Sequence, residues 1–260
     1  MSERRAALIT GGGTGVGAAT ARLLAGRGWD VAINYRKSAA EADATAASCR
    51  ATGADALTLQ GDIASDADCR RMAAAAAERF GRIDALVCSA GATQFTRLSD
   101  LEDQNAEDFQ RVFAVNVLGA YQMARAAGPW LLKSDRGAIV NVSSIAGLNG
   151  NGSSLAYITS KGALNSLTLA LARLFAPKVR VNAVLPGMID TEWFAPAFDE
   201  AAREAMKANF AEASALGVVS TADDIAAGVV FLAADALTTT GQLFVMDAGY
   251  LLGRAVKVSK

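Results

Sequence analysis

The chain has 260 residues, 52% of them hydrophobic, and a formal net charge of −1. That is ample material for a large core, and the balanced charge without a basic run argues against a nucleic-acid or anionic-membrane surface. No apolar stretch reaches the roughly 18 residues that span a bilayer, and the Met-Ser-Glu-Arg-Arg start runs into an apolar strand and not a signal peptide, so a cytoplasmic protein is expected.

In chain order, Ala6-Ala-Leu-Ile-Thr10 reads as a short buried strand, and Gly11-Gly-Gly-Thr-Gly-Val-Gly17 turns from it into an alanine-rich helix running to about Gly28. A glycine-rich turn between strand and helix brings backbone N–H groups and the positive helix end close to a phosphate, as in dinucleotide pyrophosphate sites. The spacing is Gly-x-x-x-Gly-x-Gly, not the broader Gly-x-Gly-x-x-Gly fingerprint, and a flexible strand-helix connection is the lesser alternative for the turn alone. The second strand, Asp30-Val-Ala-Ile-Asn34, leads into Tyr35-Arg36-Lys37-Ser38. An acidic residue near this strand end would read the ribose 2′-hydroxyl of NAD, whereas a 2′-phosphate wants a basic group. Asn34 holds the position, and Arg36 and Lys37 follow with a planar fork and a point charge. NADP(H) is therefore the expected cofactor, with NAD(H) and a merely solvated basic loop as the competing readings.

Further apolar runs at 55–60, 84–88, 138–142, 179–185 and 242–247 alternate with helical stretches near 38–53, 65–80, 105–128, 154–176 and 221–235. Continuous apolar strands separated by helices predict an α/β fold, a doubly wound parallel sheet of about seven strands with helices on both faces. No linker interrupts it, so one domain over 1–260 is expected. The alanine-heavy stretches fit helices, since alanine is the best helix former. Between Pro186-Gly187 and Ser220-Thr-Ala-Asp-Asp224 the alternation breaks, in an insertion at about 188–216 carrying Met188, Ile189, Trp193, Phe194, Phe198, Met206 and Phe210. It leaves from the carboxyl end of a strand, where ligands bind in such sheets, so it reads as a lid over an apolar substrate pocket. Core packing or a subunit contact is the plainer use of those aromatics.

Tyr157 and Lys161 are four residues apart in a helical stretch and share one face. A free phenol titrates near ~10, and a neighbouring ammonium would pull it toward the range where acid-base exchange is efficient. The chain has no histidine, so another group must do that work. By itself the pair is also an ordinary packing motif. Three cysteines, Cys49, Cys69 and Cys88, are odd in number and lack ligand spacing, so neither disulfides nor a metal site is expected.

Together these residues resemble the short-chain dehydrogenase/reductase family along nearly the whole chain. The matches are Thr10-Gly-x-x-x-Gly-x-Gly17, Gly61-Asp62, Ala90-Gly91, Asn116-Val-x-Gly119, Ser144, Tyr157-x-x-x-Lys161 and Pro186-Gly187, in the family's order. Within it the chain is similar to bacterial 3-oxoacyl-(acyl-carrier-protein) reductases and their glucose-dehydrogenase-like relatives. One departure is Cys88-Ser-Ala-Gly91, where the family usually has Asn-Asn-Ala-Gly; Cys88 would fill the space as a small buried group.

The resemblance implies roles. Tyr157 would donate the proton, Ser144 would hydrogen-bond the same substrate oxygen, and Lys161 would also hold the nicotinamide ribose. Ser143 competes with Ser144, which is favoured because the family's serine lies thirteen residues before its tyrosine. Asn116 would position a water beside the lysine. Gly11, Thr14, Gly15, Val16 and Gly17 would cradle the pyrophosphate, Asp62 and Ile63 would flank adenine, and Ala90 and Gly91 would line the channel. Pro186, Gly187, Ile189 and Thr191 would meet the carboxamide end.

The leading activity is an NADPH-dependent carbonyl reductase, with a 3-oxoacyl thioester as one substrate. A sugar or polyol dehydrogenase working oxidatively and a non-catalytic cofactor-sensing regulator remain open. Arg136, Arg173, Lys178 and Arg180 are the candidates for an acyl-carrier-protein patch, interrupted by Asp135. Relatives are usually tetramers, and the C-terminal strand with its Tyr250-Leu-Leu tail resembles their contact element, so a homotetramer is expected.

Overall fold

The computed structural model describes residues 4–255, so Met1 to Glu3, on which the reading of the chain start partly rests, lie outside it. The elements follow in order as β1 (Ala6–Thr10), α1 (Gly15–Gly26), β2 (Asp30–Tyr35), α2 (Ala39–Arg50), β3 (Ala56–Gln60), α3 (Asp66–Phe80), β4 (Ala85–Cys88), α4 (Ala106–Phe113) and α5 (Ala120–Leu131). Then come β5 (Gly137–Val142), α6 (Ala146–Asn149), α7 (Leu155–Phe175), β6 (Val179–Pro186), β7 (Ile189–Asp190), α8 (Glu200–Ala213), β8 (Ser220–Thr221), α9 (Ala222–Val230) and β9 (Leu243–Met246).

Seven strands pair in the order β3-β2-β1-β4-β5-β6-β9, each neighbour parallel. The period-2 geometry of a strand explains why both faces are apolar. In β1, Ala6 and Leu8 enter one core with Met72, Met123 and Leu164 of α3, α5 and α7. Ala7 and Ile9 enter the other, with Leu24, Ala46 and Val229 of α1, α2 and α9. A sheet buried on both faces has its two strand ends left for function, and β1 beside β4 is where the strand order reverses. Ligands bind outside the carboxyl ends at such a point.

Helix boundaries follow from capping. Ser65, Ser154 and Asp199 accept hydrogen bonds from Asp68, Tyr157 and Ala202 N–H, and α4 and α9 begin with full capping boxes, Asn105 with Asp108 and Thr221 with Asp224.

Three features depart from the sequence reading. The expected helix at 105–128 is α4 and α5 joined by a π-helical stretch, Ala114–Gly119, and the last helix likewise ends in one, Phe231–Asp235. The insertion is structured: β7 pairs with β8 as a two-stranded clip, and α8 fills most of the remainder. Arg180 cannot form a carrier-protein patch beside the pocket, because it sits near the start of β6, at the far end from the carboxyl edge. Its guanidinium donates to the carbonyls of Leu232, Ala233 and Ala236, closing the end of the π turn. Among the described residues, no helix is long and apolar enough to cross a membrane.

Candidate active site

The glycine-rich turn after β1 is shaped by contacts that only glycine permits. Gly11 has φ +61°, and a Cβ there would stand 2.8 Å from Ala90 Cα; one on Gly17 would stand 2.3 Å from the Gly11 carbonyl oxygen. The turn after β1 is thus pressed against the loop after β4. Thr14, the N-cap residue of α1, is exposed and makes no capping hydrogen bond, unlike the caps of α3, α4 and α7. Its helix therefore presents uncapped N–H groups beside open space, and Gly15, at φ +51°, meets only Thr191 Cγ2 at 3.8 Å across the gap. This cradle fits a pyrophosphate. Val16 lies in the core and can offer only its backbone.

Around the end of β2 the structure assigns Asn34 a different part from the one its position implied. It is buried, accepts from Gly11 N–H at 3.3 Å and donates to the carbonyls of Leu59 and Gly61, so it ties the glycine turn to β3 and is not free to read a ribose. Arg36 is exposed and reaches Asp62 at 3.3 Å; Lys37 is exposed without an ion pair among the described residues. Asp62 Oδ1 accepts from Ala64 N–H, while Ser65 caps α3, so Asp62 itself faces the groove. Ile63 does not: its side chain packs so close that a Cβ on Gly119 would be 2.6 Å from its Cδ1, leaving only its backbone for a ligand.

Beyond β5 the two serines separate. Ser143 is buried and its hydroxyl donates to Asn165 Oδ1 at 2.7 Å, a packing bond, whereas Ser144 is part-exposed, accepts from Ala146 N–H and hydrogen-bonds Tyr157. Lys161, buried in α7, donates from Nζ to the Val142 carbonyl at 2.9 Å and stands 5.5 Å from the centre of the Tyr157 ring.

The electrostatics run opposite to the simple expectation for the tyrosine. Burial raises the Tyr157 phenol above its ordinary range, offset only in part by the Ser144 hydroxyl, and the same burial brings Lys161 down to about 8. Desolvation dominates because both groups are shielded from water. At neutral pH the phenol therefore keeps its proton, ready to donate it.

Asn116 lies in the π stretch, where an extra residue per turn re-aims a side chain. Its amide pairs with both backbone groups of Ala92, accepting from N–H at 2.8 Å and donating to the carbonyl at 2.9 Å, and it donates to Ser160 Oγ. It thereby joins the β4 loop to the helix of Tyr157.

The 188–216 insertion lies against this floor. Trp193 lies 6.3 Å from the Tyr157 ring, centroid to centroid, and beside Gly91. Phe194 and Phe198 both contact Phe95 from the β4 loop, at 5.8 and 5.3 Å; Phe95 escaped the sequence reading because it sits alone among polar residues. Phe210 instead stacks on Tyr250 at 4.5 Å and packs on the third core cluster, anchoring α8. Pro186 and Gly187 close β6 by pairing with Met246, and Ile189 and Thr191 begin the lid. Cys88 is buried, with its thiol pushed up to about 12, so it packs and is not a nucleophile.

The family described as Enoyl-(Acyl carrier protein) reductase matches residues 11–251. The chain belongs to the short-chain dehydrogenase/reductase family. It is 33% identical to a 3-oxoacyl-[acyl-carrier-protein] reductase of Synechocystis over 95% of this chain and 96% of that protein. It is 36% identical to an L-rhamnose 1-dehydrogenase (NAD(P)(+)) of Sphingomonas over 96% and 97%. A crystal structure described as a short-chain dehydrogenase/reductase from Burkholderia xenovorans superposes with a TM-score of 0.91 at 41% identity, covering 97% of this chain and all of that one. As a member of this family the chain is a hydride-transfer oxidoreductase that uses a nicotinamide cofactor.

Proposed function

We propose that the protein is an NADPH-preferring reductase of apolar carbonyl compounds, with 3-oxoacyl thioesters among the substrates to test. The observation that carries this reading is the Ser144–Tyr157–Lys161 cluster, with its phenol held protonated, beneath the aromatic residues Trp193, Phe194 and Phe198. A bound nicotinamide supplies the hydride. Tyr157 supplies the proton as charge develops on the substrate oxygen, and Ser144 hydrogen-bonds that oxygen. Lys161, whose Nζ stands 5.5 Å from the centre of the Tyr157 ring, would hold the nicotinamide ribose. Asn116 acts by positioning, holding the β4 loop to α7.

Gly11, Thr14, Gly15, Val16 and Gly17 would bind the pyrophosphate, Arg36 and Lys37 the 2′-phosphate, and Asp62 with the Ile63 backbone the adenosine. Ala90 and Gly91 would line the channel, with Pro186, Gly187, Ile189 and Thr191 at the carboxamide. The withdrawal of Asn34 into the core, with no acid at the end of β2, supports NADP(H). The site residues come from the ends of the one seven-stranded sheet and from helices packed on it, which supports a single domain with a lid at 188–216. Phe244, Val245, Leu251 and Leu252 are exposed at the β9 edge and tail, which supports assembly through that edge into a tetramer; a cytoplasmic location fits the same reading.

A panel of ketones, 3-oxoacyl thioesters and sugars followed by NADPH absorbance tests the function, with the matching alcohols run in the oxidative direction. Faster reduction of apolar ketones than any alcohol oxidation is expected. The L-rhamnose dehydrogenase relative keeps sugar oxidation as the second reading, and faster turnover of sugars with NADP or NAD would establish it.

A further inference from the structure

We infer that Arg71 is a further cation for the cofactor's 2′-phosphate beside Arg36 and Lys37, and that this site reads the phosphate with two guanidinium forks from different elements. The inference rests on the NADP(H) reading above and extends it to a residue that no sequence motif singles out.

A shallow pocket at the carboxyl ends of β2 and β3 is lined by Arg36, Gln60, Gly61, Asp62, Asp68 and Arg71. Arg36 enters it from the end of β2. Arg71 enters from α3, with its Nη2 donating to the Gln60 carbonyl at 2.8 Å and to Asp68 Oδ1 at 2.7 Å. Asp68 is itself fixed, because its other oxygen accepts from Asp62 N–H at 2.9 Å. The Arg71 guanidinium is thus held in place while its side chain stays 54% exposed, and its remaining nitrogens make no bond to the described residues. A fork already held by protein acceptors loses little further freedom on meeting a ligand. A Cβ on Gly61 would stand 2.7 Å from Met72 Sδ and 3.3 Å from Arg71 Nη2, so the glycine keeps room chiefly for Met72 beside the pocket.

Charge explains why one arginine is insufficient. Asp62 and Asp68 stand in the same pocket, so Arg36 alone would leave a phosphate facing two carboxylates. With Arg71 the pocket is neutral before the ligand arrives. The Arg36–Asp62 contact, at 3.3 Å, is longer than the usual charge-assisted bond, and exposed pairs of this kind contribute little, so a phosphate can take Arg36 from Asp62. Arg71 meanwhile keeps its hold on β3 through Gln60 and offers its free edge.

The test is calorimetric binding of adenosine 2′,5′-bisphosphate and of 5′-AMP, which differ by the phosphate in question, to the parent and to Arg71→Gln, Arg71→Lys and Arg36→Gln, with thermal melts alongside. The parent should prefer the bisphosphate. Arg71→Gln should cut that preference roughly tenfold, the loss of one charge-assisted contact, with 5′-AMP affinity within about twofold of the parent. Arg71→Lys should fall between them. If Arg71→Gln keeps the parent's preference while Arg36→Gln loses it, the inference fails and the NADP(H) reading stands. If the parent does not discriminate between the ligands, both fail. Equal loss of both ligands in Arg71→Gln, or recovery of neither in Arg71→Lys, would make Arg71 a support of β3 and overturn the inference.

Discussion

The floor of the site and its lid are built on opposite plans. On the floor, Lys161 and Asn116 are 4% and 2% exposed, and Lys161, Asn116 and Asn34 are each fixed by a hydrogen bond to a backbone carbonyl. In the lid, α8 has no buried residue, Trp193 is 38% exposed, and the segment is secured by the two-residue β7–β8 clip and the Phe210–Tyr250 stack. Groups that transfer a proton must be held to a fraction of an ångström, whereas a surface that admits substrate must open, and segments that open come from the less stable parts of a fold. The difference is that Tyr157, Lys161 and Asn116 sit on a floor fixed by buried hydrogen bonds, while the insertion is open to solvent.

The largest expected effect is on the floor. Tyr157→Phe keeps the ring and its packing but removes the proton donor, so turnover should fall by at least the roughly hundredfold typical of general-acid loss. Cofactor affinity, measured by fluorescence titration, should survive; near-normal turnover would break the assignment.

Next is the burial of Lys161. Its folded-state value of about 8 lies below the ordinary 10.5, so between those limits the unfolded chain binds more protons and stability rises with pH. Below about 8 the lysine is charged in both states and the fold carries the desolvation cost. Lys161→Met lacks this dependence. The stability of the parent relative to the variant should therefore improve by about 3 kcal/mol between pH 7 and 10.5 in denaturant melts, a figure set by 1.36 kcal/mol per unit. The Tyr157 phenol, shifted upward, lowers stability at higher pH in both proteins and largely cancels. Parallel curves would show that the floor is wetter than described.

At the rim the effect is smaller. Arg36→Asp places a like charge against the 2′-phosphate and offers an acceptor to a free 2′-hydroxyl, so the NADPH to NADH ratio of kcat/KM should fall by roughly tenfold or more. An unmoved ratio would make Arg36 a solvated side chain.

The sequence made the floor legible and the lid much less so. All seven sheet strands were readable because each is a short apolar run, including β9, which is part-exposed at the sheet edge, and the glycine turn because its spacing has a steric cause at Gly11 and Gly17. Helix α8 was hidden because Met206 and Phe210, which with Ala202 are spaced for one face of Glu200–Ala213, were read only as part of an apolar lid. The π stretches were hidden because six residues or fewer are too short to separate one helical period from another. The inward turn of Asn34 was not legible because strand parity says nothing when both faces are covered. Arg71 was invisible because only the packing of α3 on β3 brings it to Arg36.

The division between floor and lid is tested most directly by kcat/KM for one small and one bulky apolar ketone in the parent, Tyr157→Phe and Phe194→Ala. The floor variant should lose both substrates by the same factor. The lid variant should keep the small ketone close to the parent value and lose the bulky one several-fold, chiefly through KM, since uniform binding contacts act there. Equal losses of both ketones in Phe194→Ala, or unequal losses in Tyr157→Phe, would contradict the account.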